Sequence, residues 1–177
     1  LRKVPMKRCD VEQIVDLTSQ GAFPCIFLEE ENSYINQLNP RVQVFPEQLS
    51  IPLPPLDNPR RALNSELYQV VIFLPESEEH LLTDRTQFLN PMRWHPEFID
   101  VIAVGGGKDK GMDAVLDHFG ISAEETMAFG DGENDVDMLE FAGLSVCMGN
   151  GAPEAKAVAA AGADYIVGAN PHVIQKY

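Results

Sequence analysis

The chain has 177 residues, 45% of them hydrophobic and 23% charged, a composition that fits a folded globular protein and excludes a disordered one. Thirteen basic residues against twenty-seven acidic ones leave a formal net charge of −14. That balance argues against nucleic-acid and acidic-membrane partners, and it requires local positive charge at any site that takes an anion.

No apolar run approaches the ~20 residues of a membrane helix, and no signal-peptide pattern opens the chain. The first residues, "LRKVPMKRCD", carry no initiator Met, so the chain is expected to be part of a longer protein. Cys9, Cys25 and Cys147 are too scattered for a disulfide framework or a zinc spacing. They read as reduced thiols, mostly packing residues, in a cytoplasmic protein.

Along the chain, "VEQIVDLTS" (11–19) is helical by period, and "FPCIFLEE" (23–30) reads as a strand. "QVFPEQLSIPLPPLDNPRR" (43–61) holds five prolines and reads as irregular connection. "LYQVVIFLP" (67–75) is a second strand, "ESEEHLLTDR" (76–85) a charged surface helix, and "PMRWHPEFIDVIAVGGG" (91–107) a single late strand.

From about residue 107, strands and helices alternate. "KGMDAVLDHFG" places Met112, Val115, Leu116 and Phe119 on one helix face, and Gly120 supplies the stop. Ser122, with Glu125 three residues on, forms a capping-box pattern. "TMAFG" is expected to be a buried strand, "VDMLEFAG" a short helix and "LSVCMG" a strand. "APEAKAVAAAG" follows as a helix and "ADYIV" as a strand. The pattern implies an α+β unit over residues 1–100, then an α/β unit over 101–177 built on a parallel sheet covered by helices.

The densest chemistry lies in "FGDGENDVDML" (129–139), which packs four acidic side chains, an Asn and two Gly into eleven positions. It follows a strand and precedes a helix, which is where ligand sites lie in an open parallel sheet. Asp131 and Asp135 could supply hard oxygen ligands to Mg²⁺, with Gly130 and Gly132 permitting a tight turn. The alternative is a solvated acidic turn in which Asp135 caps the next helix. Calcium of the EF-hand kind is excluded by Val136 and Ala142 at the positions that need Gly and Glu. His80, His95, His118 and His172 show no paired ligand spacing.

"GGGKDKG" (105–111) lacks the Ser or Thr of a Walker loop. Lys110, at the start of a helix, could offset the carboxylates and meet a phosphoryl oxygen, whereas Lys108 reads as surface charge.

Taken together, "GGGKDKGMDAVLDHFGI", "TMAFGDGENDVDMLEFAGLSVCMGNG" and "APEAKAVA" resemble the haloacid dehalogenase superfamily. More narrowly, the chain looks like the Cof-type (subclass IIB) sugar-phosphate phosphatases, which carry an α+β cap of the C2 type inserted into a Rossmann-like core. The resemblance is specific over about residues 94–167; before that, only the order of elements matches. It implies a cap over 1–100 and the C-terminal part of the core over 101–177.

The resemblance also implies roles. Lys110 would balance the charge of nucleophile and phosphate, Asp131 would ligate Mg²⁺, Asp135 would ligate or orient it through water, and Asn134 would contact phosphate. The partner would be a small phosphorylated metabolite. The tail "VGANPHVIQKY" departs from the family pattern in lacking an Asp-Gly pair.

Such phosphatases attack phosphorus with the first Asp of an Asp-x-Asp-Gly-Thr motif, and this chain has none; its one Asp-x-Asp, at 135–137, opens a helix. The expectation is therefore an Mg²⁺-dependent phosphomonoester hydrolase seen in part and inactive alone. A phosphomutase of the same superfamily and a catalytically silent binding fragment are the alternatives. Arg60 and Arg61 are candidates to meet an anionic substrate, set against plain solvated charge.

Overall fold

The computed structural model describes residues 2–162 and 165–167 and divides the chain into two compact units. One unit comprises Val4–Val104, and the other takes the residues before Val4 together with those from Gly105 onward. Among the described residues, no helix is long and apolar enough to cross a membrane.

The first unit is built on five antiparallel strands: β1 (Cys25–Glu29), β2 (Ser33–Ile35), β3 (Leu67–Ile72), β4 (Leu89–His95) and β5 (Phe98–Ala103), in the order β2-β1-β3-β5-β4. Side chains alternate cleanly across this sheet. Cys25, Phe27, Val70, Ile72, Ile99 and Val101 join one apolar cluster with Val11, Ile14, Val15 and Leu17 of helix α1 (Arg8–Ser19). Ile26, Ile35, Val71, Phe73 and Phe98 form a second cluster.

What covers that second cluster is the proline-rich stretch, so its reading as mere irregular connection is corrected. It contains the short helix α2 (Val44–Leu49) and a 3-10 turn, Pro59–Asn64. Pro46 is the third residue of α2, in the first turn, where a missing N–H costs nothing. Phe45 then packs edge-on against Phe73 and Phe98, each at 5.9 Å, and Leu53 joins the same cluster. The stretch also covers the sheet margin: Ile35 donates to the Pro55 carbonyl and accepts from Asp57 N–H, both at 2.9 Å.

Two further expectations change. The single late strand is a hairpin, β4 and β5, closed at Pro96–Glu97, where Arg93 donates to the carbonyls of His95 and Pro96. Pro91 is tolerated because β4 is an edge strand. The charged helix at 76–85 breaks into a 3-10 turn, Glu76–Glu78, and one turn of α3 (His80–Thr83), whose Leu82 is fully buried.

The second unit has the expected alternation. Helices α4 (Lys108–Phe119), α5 (Val136–Phe141) and α6 (Pro153–Gly162) accompany a three-stranded parallel sheet, β6 (Met127–Gly130), β7 (Leu144–Met148) and β8 (Tyr165–Val167), in the order β6-β7-β8. Gly120 ends α4 in the left-handed conformation at φ 66°, and Glu125 reaches back to the Ser122 N–H at 3.0 Å. Ala128, Leu139, Cys147, Ala155 and Ala159 form its core.

The apolar face of α4 is not buried as its period suggests: Leu116 is, but Val115 and Phe119 are 41% and 67% exposed. Strand β6 is half-buried rather than buried, with Met127 and Phe129 exposed and Ala128 and Gly130 inside. As the edge strand, it has one face against α5 and α6 and the other uncovered among the described residues. The chain is thus of the α/β class, with an antiparallel sheet in one unit and a parallel sheet in the other. The tail at 168–177, with His172, lies outside the described residues.

Candidate functional site

Strand β6 ends at Gly130, and the chain turns through Asp131 and Gly132 into the 3-10 turn Glu133–Asp135 that opens α5. The turn is organised by one side chain. Asp135 is 4% exposed, and its Oδ2 accepts the amides of Asp131 at 2.8 Å and Gly132 at 3.0 Å. Its Oδ1 meets the Lys108 ammonium in a short ion pair. So Asp135 does not cap α5 as a solvated turn would have it; its carboxylate points back into the loop. Burial alone would push its pKa up, but the Lys108 ammonium and the two amides outweigh burial and hold it below the ordinary carboxylate range.

That inward turn needs Gly130. A Cβ there would stand 2.6 Å from Asp135 Cβ and 2.9 Å from its Cγ, closer than packed atoms approach. The loop is held on its other side by the segment before α6. The Asp131 carbonyl accepts from Ala152 N–H at 2.7 Å, and a Cβ on Gly151 would lie 3.2 Å from Asp131 Cα. The Asp131 side chain stays exposed. Asn134 is half-buried and folds back over Gly132, its Oδ1 2.5 Å from where a Cβ on that glycine would sit.

The two lysines take different partners. Lys108, set aside as surface charge, is the first residue of α4 and is the cation that meets Asp135, although its side chain remains half exposed. Lys110 pairs with its neighbour Asp109 at 3.0 Å. The signal for Lys108 was its place directly after Gly107, whose φ of 140° is unfavourable for other residues and lets the chain turn abruptly into the helix.

The arginine pair also divides. Arg61 is committed to Glu29 at 2.5 Å and Asp57 at 3.0 Å and lies over the Tyr34 ring, while Arg60 is exposed. Arg61 therefore braces the 3-10 turn against β1.

Among the described residues, no group of three His, Cys, Asp or Glu side chains converges to hold a metal. Both Asp135 oxygens are engaged by donors, Oδ1 by the Lys108 ammonium and Oδ2 by the two loop amides. Asp131 is a single exposed hard-oxygen donor on a fixed loop. That fits Mg²⁺, which commonly takes one or two carboxylates and completes its shell with water and phosphate oxygens.

A family model described as haloacid dehalogenase-like hydrolase matches residues 1–170. The chain belongs to this family. YkrA of Bacillus subtilis, which carries a phosphatase name, is 29% identical over 158 residues, covering 89% of the chain and 61% of that protein. The 5-amino-6-(5-phospho-D-ribitylamino)uracil phosphatase YitU of the same organism is 33% identical over 107 residues, 56% of the chain and 40% of YitU.

Among solved structures, the subclass IIB sugar phosphatase BT4131 superposes with a TM-score of 0.81 at 35% identity, covering 94% of the chain and 63% of its own. The phosphatase BT1666 of Bacteroides thetaiotaomicron gives 0.79 at 30%, with 95% and 62% covered. The chain therefore spans little more than three fifths of YkrA, BT4131 and BT1666, and its match to YitU covers two fifths of that protein.

Proposed function

We propose that this haloacid dehalogenase-like chain carries the metal-binding and charge-balancing part of an Mg²⁺-dependent phosphomonoester hydrolase for small phosphorylated metabolites, sugar phosphates or similar compounds. The observation that carries the reading is the division of labour at the end of β6. Asp135 spends both oxygens on Lys108 and on two loop amides, and this leaves the Asp131 carboxylate outward. The phosphatase names and the sugar-phosphatase neighbour support the substrate class.

In this reading Asp131 holds Mg²⁺, which when bound neutralises charge on the phosphoryl group. Asp135 keeps the loop amides and the Lys108 ammonium in place. Lys108, rather than Lys110, is the cation that meets a phosphoryl oxygen, because it already stands at the loop while Lys110 is engaged with Asp109. Asn134 contacts phosphate or its immediate neighbours. Residues 1–100 form a substrate-selecting cap, and 101–177 form the C-terminal part of the catalytic core.

The 177 residues contain no Asp-x-Asp-Gly-Thr, so in this reading the nucleophilic carboxylate is not among them and the chain alone does not turn over. The same absence favours, as a second reading, a catalytically silent binding fragment.

One experiment tests both. The chain should leave p-nitrophenyl phosphate untouched with Mg²⁺ present. A longer form carrying a strand that ends in Asp-x-Asp-Gly-Thr should hydrolyse it, and should lose that activity with Lys108→Ala but not with Lys110→Ala. Turnover by the chain alone, or loss of activity with Lys110→Ala only, would refute the assignment.

A further inference from the structure

One side of the first unit's sheet is only half covered. On β5, Ile99, Val101 and Ala103 are buried in the cluster with α1, and Phe98 is buried on the opposite side. Asp100 and Ile102 share the side of Phe98, yet both are partly exposed. Strand register carries this opening to the neighbours, because directly paired residues point to the same face. Ile102 pairs with Gln69 of β3 and Asn90 of β4, and Asp100 pairs with Met92. Gln69 and Met92 are half-buried, and Asn90 is exposed. Phe45 and Leu53 thus close the part of the face built on Ile26, Ile35, Val71 and Phe73, and the part toward β4 stays open.

Trp94 borders the open part. Its indole N–H donates to the Asp100 carboxylate at 3.0 Å, and its ring stands at 89° to Phe98 with centroids 4.7 Å apart. Two contacts therefore fix the ring, which is still 36% exposed. The side-chain amides of Gln69 and Asn90 have no hydrogen-bond partner among the described residues.

Gln69, Asn90, Met92, Trp94, Asp100 and Ile102 together offer amide donors and acceptors, one carboxylate, an indole and two apolar chains, with no cation. Asp100 and the net charge of −14 disfavour an anion here, and the same charge on both partners disfavours a second copy of the chain. What fits is a neutral group whose hydroxyls both donate and accept, and whose C–H faces can lie against the negative face of an indole.

We propose that this open half-face binds the uncharged, hydroxyl-rich part of the substrate, a sugar or polyol skeleton. Trp94 is its platform, and Gln69 and Asn90 select among hydroxyl patterns. The assignment rests on the reading of residues 1–100 as the substrate-selecting unit.

Trp94 is the only tryptophan, so its fluorescence in the 177-residue chain reports occupancy directly. Glucose or sorbitol should shift the emission saturably at millimolar concentration, and inorganic phosphate should not. Gln69→Ala and Asn90→Ala should each weaken the response about fivefold, as the loss of one hydrogen bond requires. Amide shifts followed by NMR give a second measurement, free of substitutions: Gln69, Asn90, Asp100 and Ile102 should move with the added sugar or polyol.

A Trp94 signal and amide shifts unmoved by both neutral compounds would overturn the proposal, as would a response to phosphate alone or affinity unchanged in both variants. Emission that shifts with protein concentration alone would show a second copy on this face and overturn it too. None of these measurements involves turnover. If a longer form proves not to be a phosphatase, the hydrolase reading fails and the titration still decides this surface; if it is one and Trp94 ignores sugars, this proposal alone fails.

Discussion

Replacing Asp135 with Asn removes one charge and almost no volume, so its consequences follow from hydrogen bonding alone. The wild-type carboxylate serves three donors at once: the Lys108 ammonium on one oxygen, and the Asp131 and Gly132 amides on the other. An Asn has one acceptor oxygen and an NH₂ group. If the oxygen keeps the two amides, the NH₂ faces an ammonium; if it turns to Lys108, the two loop amides face an NH₂. Either way at least one strong interaction becomes a donor–donor contact. Lys108 is half exposed and can swing into water, so the first arrangement is the cheaper one and the full worth of a buried ion pair is not lost. The expected cost is about 2–3 kcal/mol of local stability.

Tryptophan fluorescence would miss this cost, because Trp94, the only tryptophan, lies in the other unit. Amide exchange at Asp131 and Gly132 reads it directly. The pH dependence adds a second constraint. The folded-state carboxyl titrates below its unfolded-state value, so the stability it supplies is complete above an unfolded-state pKa of about 4 and is lost as pH falls through the folded-state value. The gap between wild type and Asp135→Asn should therefore hold from pH 8 to about pH 5 and narrow below about pH 4. A gap under about 0.5 kcal/mol at pH 7 would refute the account, since it lies within ordinary surface-mutation scatter. A gap that widens in acid would do the same.

Gly130→Ala should destabilise the second unit by about 3 kcal/mol or more, because the new methyl meets Asp135 Cβ at 2.6 Å and nearby backbone must shift; a thermal melt followed by circular dichroism, unchanged within a degree, would count against it. Phe45→Ala should cost the first unit about 2 kcal/mol, less than a fully buried phenylalanine because Phe45 is only partly covered. Trp94 packs on Phe98 at 4.7 Å, so its fluorescence during urea unfolding reports this loss, and an unmoved midpoint would mean that α2 is not part of the core.

The second unit was largely legible in the sequence because its local signals and its tertiary structure agree. Gly120 stops α4 where a left-handed residue is needed, Glu125 reaches Ser122, and Pro153 opens α6. In the first unit they disagree. Five prolines argue for irregular chain, but Pro46 falls in a first helical turn where the argument has no force, and the burial of Phe45 and Leu53 is decided by a sheet remote in sequence. Alternation that continues across Pro96–Glu97 hides a hairpin inside what reads as one strand.

The site divides along the same line. That Asp131 and Asp135 belong together follows from their spacing after a strand, but the roles they take do not. Which of the two turns inward is set by the missing Cβ of Gly130, which opens room for the Asp135 carboxylate. Which lysine meets it is set by where α4 begins: Lys108, the first helical residue, pairs with Asp135, while Lys110, two residues on and about 200° around the axis, pairs with Asp109. A shift of two residues in one helix start therefore changes which lysine meets the Asp135 carboxylate.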